Sequence, residues 1–211
     1  MDWTAQIVDQ LDFHWQRQLR PRLDGLGDDE YRWEPVPGAW NVRPRGTSKA
    51  TTAVGSGNFT IDFAFPQPDP PVTTIAWRIA HLVVGVLGGR VASHFGGAPC
   101  DYETHDYPGD AEGALAQLDA TYAGWTAGVR ELGADGLARP CGPAEGPFAD
   151  EPMATLALHI NREVLHHGAE IALLRDLYRW RDGRGQETVD AVRAVSMIVA
   201  EPSTTSRSGP P

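Results

Sequence analysis

Glu163 and His167 are a carboxylate and an imidazole four residues apart in the run His159-Ile-Asn-Arg-Glu-Val-Leu-His-His-Gly-Ala-Glu170. At about 100° of turn per residue, Leu156, Ile160, Glu163, His167, Ile171, Leu174 and Tyr178 fall within an arc of roughly 80° on one helix face. Five of these seven positions are apolar or aromatic, so the pair lies in a stripe that should face a core. An ionised carboxylate there needs a counter-charge or a cation, because burying it alone costs several kcal/mol. Four-residue spacing also lets two ligands on one helix reach a single ion, as in helical zinc motifs. The pair therefore reads either as an internal ion pair or as two ligands of a metal.

A metal needs a third protein ligand. His81 is the strongest candidate, since it lies in the other strongly apolar helical segment. A hydrogen-bonded core histidine is the competing reading for it. His159 and His166 have helical spacings to Glu163 as well, but they fall roughly 80–100° from the centre of the stripe. They read, with Arg162, as rim or substrate-side residues. His14, His94 and His105 show no partner pattern and are expected at the surface.

Four helical patterns must position these groups. The first spans about Trp3 to Leu23, with Ile7, Leu11, Trp15 and Leu19 recurring every fourth residue. The second starts at Thr73 or Thr74 and runs to about Ser93, with little polar surface. The third spans about Asp110 to Leu132, with Asp110 as N-cap. The fourth runs from near Pro152, a good first-turn proline, to about Arg181. Residues 41–72 form a long Gly-, Pro-, Ser- and Thr-rich connection, in which Phe59 to Phe65 alternates like a short strand or hairpin. Trp40, Trp33, Phe59 and Phe63 could line an apolar pocket near the His81 helix, or the tryptophans could cap the end of the helices. A short helix over 187–200 and a disordered tail over 201–211 are expected. The reading is an all-α, four-helix bundle in one domain, residues 1–200, with a loop insertion.

The chain has 211 residues, 18 Lys and Arg against 28 Asp and Glu, and a net charge of -10. That balance argues against nucleic-acid binding and against docking on anionic membranes. No apolar run is read as reaching the ~20 residues that span a bilayer, and no signal peptide is read at the N-terminus. Only Cys100 and Cys141 occur, which is not a disulfide framework and points to a reducing cytoplasm.

Three stretches carry a resemblance: Trp33-Glu-Pro-Val-Pro-Gly-Ala-Trp-Asn-Val42, Thr74-Ile-Ala-Trp-Arg-Ile-Ala-His81, and Leu165-His-His-Gly-Ala-Glu-Ile171. In this order they resemble the DinB/YfiT-like superfamily of metal-binding helical bundles, over about Trp3 to Arg181. The resemblance implies a ligand from the second helix and a pair four residues apart in the fourth, which places the ligands at His81, Glu163 and His167. Most of the family has histidine where Glu163 stands. The His, Glu, His set resembles the branch containing mycothiol-dependent maleylpyruvate isomerase.

Three ligands leave a coordination position open, which is the mark of a catalytic or substrate-binding site. Donor types suit Zn, and also Ni or Fe(II); the resembled branch implies Zn. The resemblance further implies S-transfer or isomerisation assisted by a low-molecular-weight thiol such as mycothiol, acting on an electrophilic small molecule. The alternative is a non-catalytic metal- or ligand-binding stress protein. A homodimer fits such bundles but has no signal in the sequence.

Overall fold

The computed structural model describes residues 2–64 and 71–181. Most of these residues are helical. Helix α1 covers residues 3–22, helix α2 is the single turn Asp28–Tyr31, α3 is Ile75–Phe95, α4 is Ala111–Ala138 and α5 is Met153–Trp180. The long helices pack on one another, α1 against α4 and α5, and α3 against both α4 and α5. Their shared core includes Leu11, Trp15, Leu82, Leu87, Leu118, Trp125, Ile160, Val164 and Ile171.

The insertion forms more than the single strand or hairpin expected. Strands β1 (Val42–Pro44), β2 (Thr52–Val54) and β3 (Phe59–Phe63) make an antiparallel sheet in the order β1-β3-β2. Val42 pairs with Ile61 and Thr52 with Phe63. Alternation in β3 gave its extended character away. The other two strands are three residues long, too short to show a period. Phe65 and the segment 187–200 lie outside the described residues.

The helix starts are set by local chemistry. Thr74 caps α3 by accepting from the Trp77 N–H at 3.2 Å, and Asp110 caps α4 by accepting from the Gly113 N–H at 2.7 Å. Pro152 stands at the cap of α5 rather than inside its first turn. Helix α4 runs beyond Leu132 through a break at Gly133, whose φ of 61° suits glycine. Helices α1 and α3 each widen into π-helical turns, over Trp15–Leu19 and Leu82–Gly88. A strict four-residue apolar repeat drifts about 40° per step in an α-helix. A turn with i→i+5 bonding offsets that drift and keeps Trp15 and Leu19 in the core.

Helix α3 corrects the reading of hydrophobic length. Ile75–Phe95 is 21 residues long and contains an 18-residue stretch with a mean hydropathy of 1.4, long and apolar enough to cross a membrane, and 61% of that stretch is buried inside the protein. It is the central helix of the core.

Candidate metal centre

His81 lies near the middle of α3, and Glu163 and His167 lie one turn apart on α5. One donor atom from each of the three falls within 4.8 Å of the others. The imidazoles of His81 and His167 meet edge to face with centroids 4.7 Å apart, and Glu163 Oε2 is 3.5 Å from His167 Nε2. His167 is 7% exposed. The Glu163 side chain is 28% exposed, so it sits at the edge of the stripe, where water reaches it, rather than inside the core.

Each imidazole is anchored through Nδ1. His81 Nδ1 is 2.6 Å from the Tyr102 hydroxyl, and His167 Nδ1 is 2.7 Å from Glu170 Oε2. That leaves Nε2 of each ring as the remaining donor. Anchoring one ring nitrogen to a hydroxyl or carboxylate is how metal-binding histidines are held in orientation. Glu170 is itself fixed by the guanidinium of Arg78, whose Nε is 3.1 Å away. Arg78 lies one turn before His81 on α3, so this ion pair ties α3 and α5 together beside the cluster. Two imidazoles and a carboxylate, converging from two helices with the Nδ1 of each ring engaged, form a donor set that fits a divalent cation of the Zn type.

A second convergence, His166, His167 and Glu170, also brings donor atoms within 4.8 Å. It draws on one helix only, its His166 side chain is 63% exposed, and Arg78 already neutralises its carboxylate. It fits a cation less well than the set that spans two helices.

Burial, then the neighbouring His167, Arg78 and Arg90, pushes the His81 imidazole from its ordinary 6.5 down to about 3. At neutral pH its lone pair is free of a proton. The unfolded chain takes up that proton first as pH falls. Stability resting on neutral His81 is therefore complete above about pH 6.5 and is lost as pH drops toward 3, at roughly 1.4 kcal/mol per unit of pH in that window. Chelator-treated protein should melt at a lower temperature at pH 4.5 than at pH 7, and a His81→Gln variant should show a shallower decline.

The flanking residues are placed as follows. His159 Nδ1 is 3.7 Å from Glu163 Oε1 and receives a hydrogen bond from Arg162 Nη2 at 2.8 Å. His159 and Arg162 line a cleft of about 290 Å³, with Arg90, Leu156, Phe148 and Cys141 on its other sides. His166 points outward. Trp40 is not in ring contact with His81 or His167. It packs on Trp77, centroids 5.9 Å apart, and Trp77 stacks along His81 at 5.3 Å. Trp33 is elsewhere, edge-on to Tyr178. Trp33, Trp40 and Phe63 therefore do not share one pocket; Trp40 and Phe63 stack together while Trp33 packs near the far end of α5.

Three expectations change. His94 is not a surface residue: its side chain is 5% exposed and its Nε2 is 2.9 Å from Glu145 Oε1. His14 is half-buried with Nε2 enclosed, and His105 is bound through Nε2 to Gln117 at 2.8 Å. Both cysteines are free thiols, and burial raises the pKa of each, so neither is poised as a nucleophile.

Tyr102, Glu170 and Arg78 are the site residues that sequence reasoning missed. Glu170 and Arg78 sit three residues from His167 and His81, a spacing that does bring helical side chains together. Tyr102 comes from an irregular loop with no period, and nothing in its surroundings announces it.

No curated protein and no solved structure matches the chain. The family model described as the DinB superfamily matches residues 57–171, a span holding β3, all of α3 and α4, and α5 past Glu163 and His167. Covering more than half of the sequence, that match shows that the chain belongs to the DinB superfamily.

Proposed function

We propose that the protein is a divalent-metal-dependent enzyme in which His81, Glu163 and His167 hold a Zn ion, with Ni or Fe(II) as the other metals these donors suit. The single observation that carries this is the convergence of three donor atoms from α3 and α5 within 4.8 Å, with Nδ1 of each histidine engaged outside the cluster. When bound, the ion would supply the positive charge that favours the thiolate form of an incoming thiol or acidifies a water molecule. The chain's own residues do the rest. Glu163 is reached by solvent, so the open side of the cluster faces outward along Glu163. His159 and Arg162 border the cleft beside it, where an electrophilic small molecule can lie against Leu156 and Phe148 with Arg162 as a hydrogen-bond donor.

The family supports the metal, and the His, Glu, His pattern supports the thiol-using branch, with a mycothiol-type thiol as cosubstrate for S-transfer or isomerisation. The long helices are read as the four-helix bundle of this family, in one cytoplasmic domain able to form a homodimer. Neither cysteine is needed, since the thiol is exchangeable. A non-catalytic metal-binding stress protein is the second reading, and partial exposure at Glu163 weighs against it, since a purely structural site is usually closed.

Cobalt substitution tests the two together. The protein should take up one Co(II) per chain, and adding a mycothiol-type thiol should produce a stoichiometric thiolate-to-cobalt absorbance. Tight Co(II) binding with no thiol response would favour the second reading. No uptake of metal would remove both.

A further inference from the structure

Two adjacent residues at the end of β3 reach the ring of His81 by separate routes, although the insertion supplies none of the proposed ligands. The Asp62 carbonyl accepts from the Trp77 indole N–H at 2.9 Å, and the Trp77 ring lies nearly parallel to His81, with an interplanar angle of 18°. The Phe63 ring meets Tyr102 with centroids 5.6 Å apart, and Tyr102 lies on a second side of His81, again nearly parallel at 17°. The histidine is thus stacked on Trp77 and held end-on at Nδ1 by the Tyr102 hydroxyl, and both aromatic residues are backed by the insertion.

The loop bearing Tyr102 is tied to the same sheet. In the turn between β2 and β3, the Ser56 backbone N–H donates to the His105 carbonyl at 2.9 Å. The Ser56 hydroxyl donates to the Thr104 carbonyl at 2.7 Å. Tyr107 donates its hydroxyl to the Tyr102 carbonyl at 2.9 Å. Space is left for the contact as well. A Cβ placed on Gly85 would stand 2.0 Å from Tyr102 Oη and 3.0 Å from His81 Nδ1. Only a residue without a side chain lets that hydroxyl sit against the helix.

The rotation of an imidazole about its Cβ–Cγ bond is broad and weakly restrained by its own torsion. A ligand histidine therefore needs outside contacts to keep Nε2 aimed at the ion. We propose that the insertion is the positioning device of the metal centre: β3 acts through Trp77 and Tyr102 to fix the His81 ring, with Tyr102 as the positioning residue and Gly85 as the gap that admits it. This rests on the ligand reading given above. The sheet so governs metal affinity from a distance, through one hydrogen bond and one ring face.

The test uses the full chain. Zn affinity is measured by competition with a chromophoric chelator, and the Co(II) d–d spectrum is recorded, for wild type, Tyr102→Phe and Gly85→Ala. Tyr122→Phe is the control, since it removes a tyrosine hydroxyl that donates to Asp12 between α4 and α1. Tyr102→Phe should weaken Zn binding about 10- to 100-fold and move the Co(II) bands. Gly85→Ala, which keeps Tyr102 but displaces its hydroxyl, should do the same, and it reads the contact if Tyr102→Phe does not fold. Tyr122→Phe should bind like wild type whatever its melting temperature. Wild-type binding with affinity and spectrum unchanged in both Tyr102→Phe and Gly85→Ala overturns the positioning role and leaves the ligand set standing. A wild type that takes up no Zn overturns the ligand set first.

Discussion

His167→Ala should abolish specific Zn retention: after dialysis against a weak chelator the variant should hold well under one ion per chain, where wild type should hold one. The loss should exceed the roughly 10- to 100-fold that follows from removing a residue behind a ligand. His167 is the most buried of the three donors and the only one that touches both others, with the His81 ring 4.7 Å away and Glu163 Oε2 3.5 Å away. Removing it leaves one donor on each helix. The fold should survive, because the Arg78–Glu170 ion pair still bridges α3 and α5. Elemental analysis with circular dichroism on the same sample measures both. Full metal retention with native helicity would show that the cluster is not the site.

Arg175→Ala should carry the largest cost in stability, about 3–5 kcal/mol, because it strands a carboxylate in the interior. Arg175 holds Glu30 through two hydrogen bonds, at 2.7 and 3.0 Å, and both side chains are nearly enclosed. Its remaining Nη1 donates to the carbonyls of Arg22 and Asp24, which satisfies backbone groups at the end of α1. One guanidinium thus joins α5, the end of α1 and the short α2. At about 2–4 °C per kcal/mol for a chain of this size, the melting temperature should fall by roughly 6–20 °C. Arg175→Met paired with Glu30→Gln should recover part of the loss, since no bare charge is then left inside. A drop of only a degree or two in Arg175→Ala would mean that Glu30 finds water.

The helices were readable because their apolar residues recur at helical spacing, and their starts because Thr74 and Asp110 are good caps. Glu163 and His167 were conspicuous because polar residues stood where the period asks for apolar ones. His81 needed its neighbours: its segment is so apolar that any polar residue in it stands out. The parts that could not be read share a physical cause. Pairings across the chain, such as Tyr102 with His81, Arg175 with Glu30, or Glu145 with His94, depend on where irregular loops land, and loops have no period. The three-residue strands β1 and β2 are held by β3 rather than by their own propensities, so their residues carry no sign of them. Glu163 was read as more enclosed than it is, because periodicity gives a direction around a helix and not a depth.

The π-helical turns of α3 begin at Leu82, the residue after His81. The portion of α3 before them carries His81 and Trp77, and the portions on both sides of them pack on α4. Deleting one residue from 82–88 would swing one portion against the other by about 100°. Either the imidazole would leave its partners or Leu87 would leave the core. This helix can accept changes of residue type at many positions, but its residue count between His81 and Gly89 is fixed by two demands at once, one chemical and one of packing.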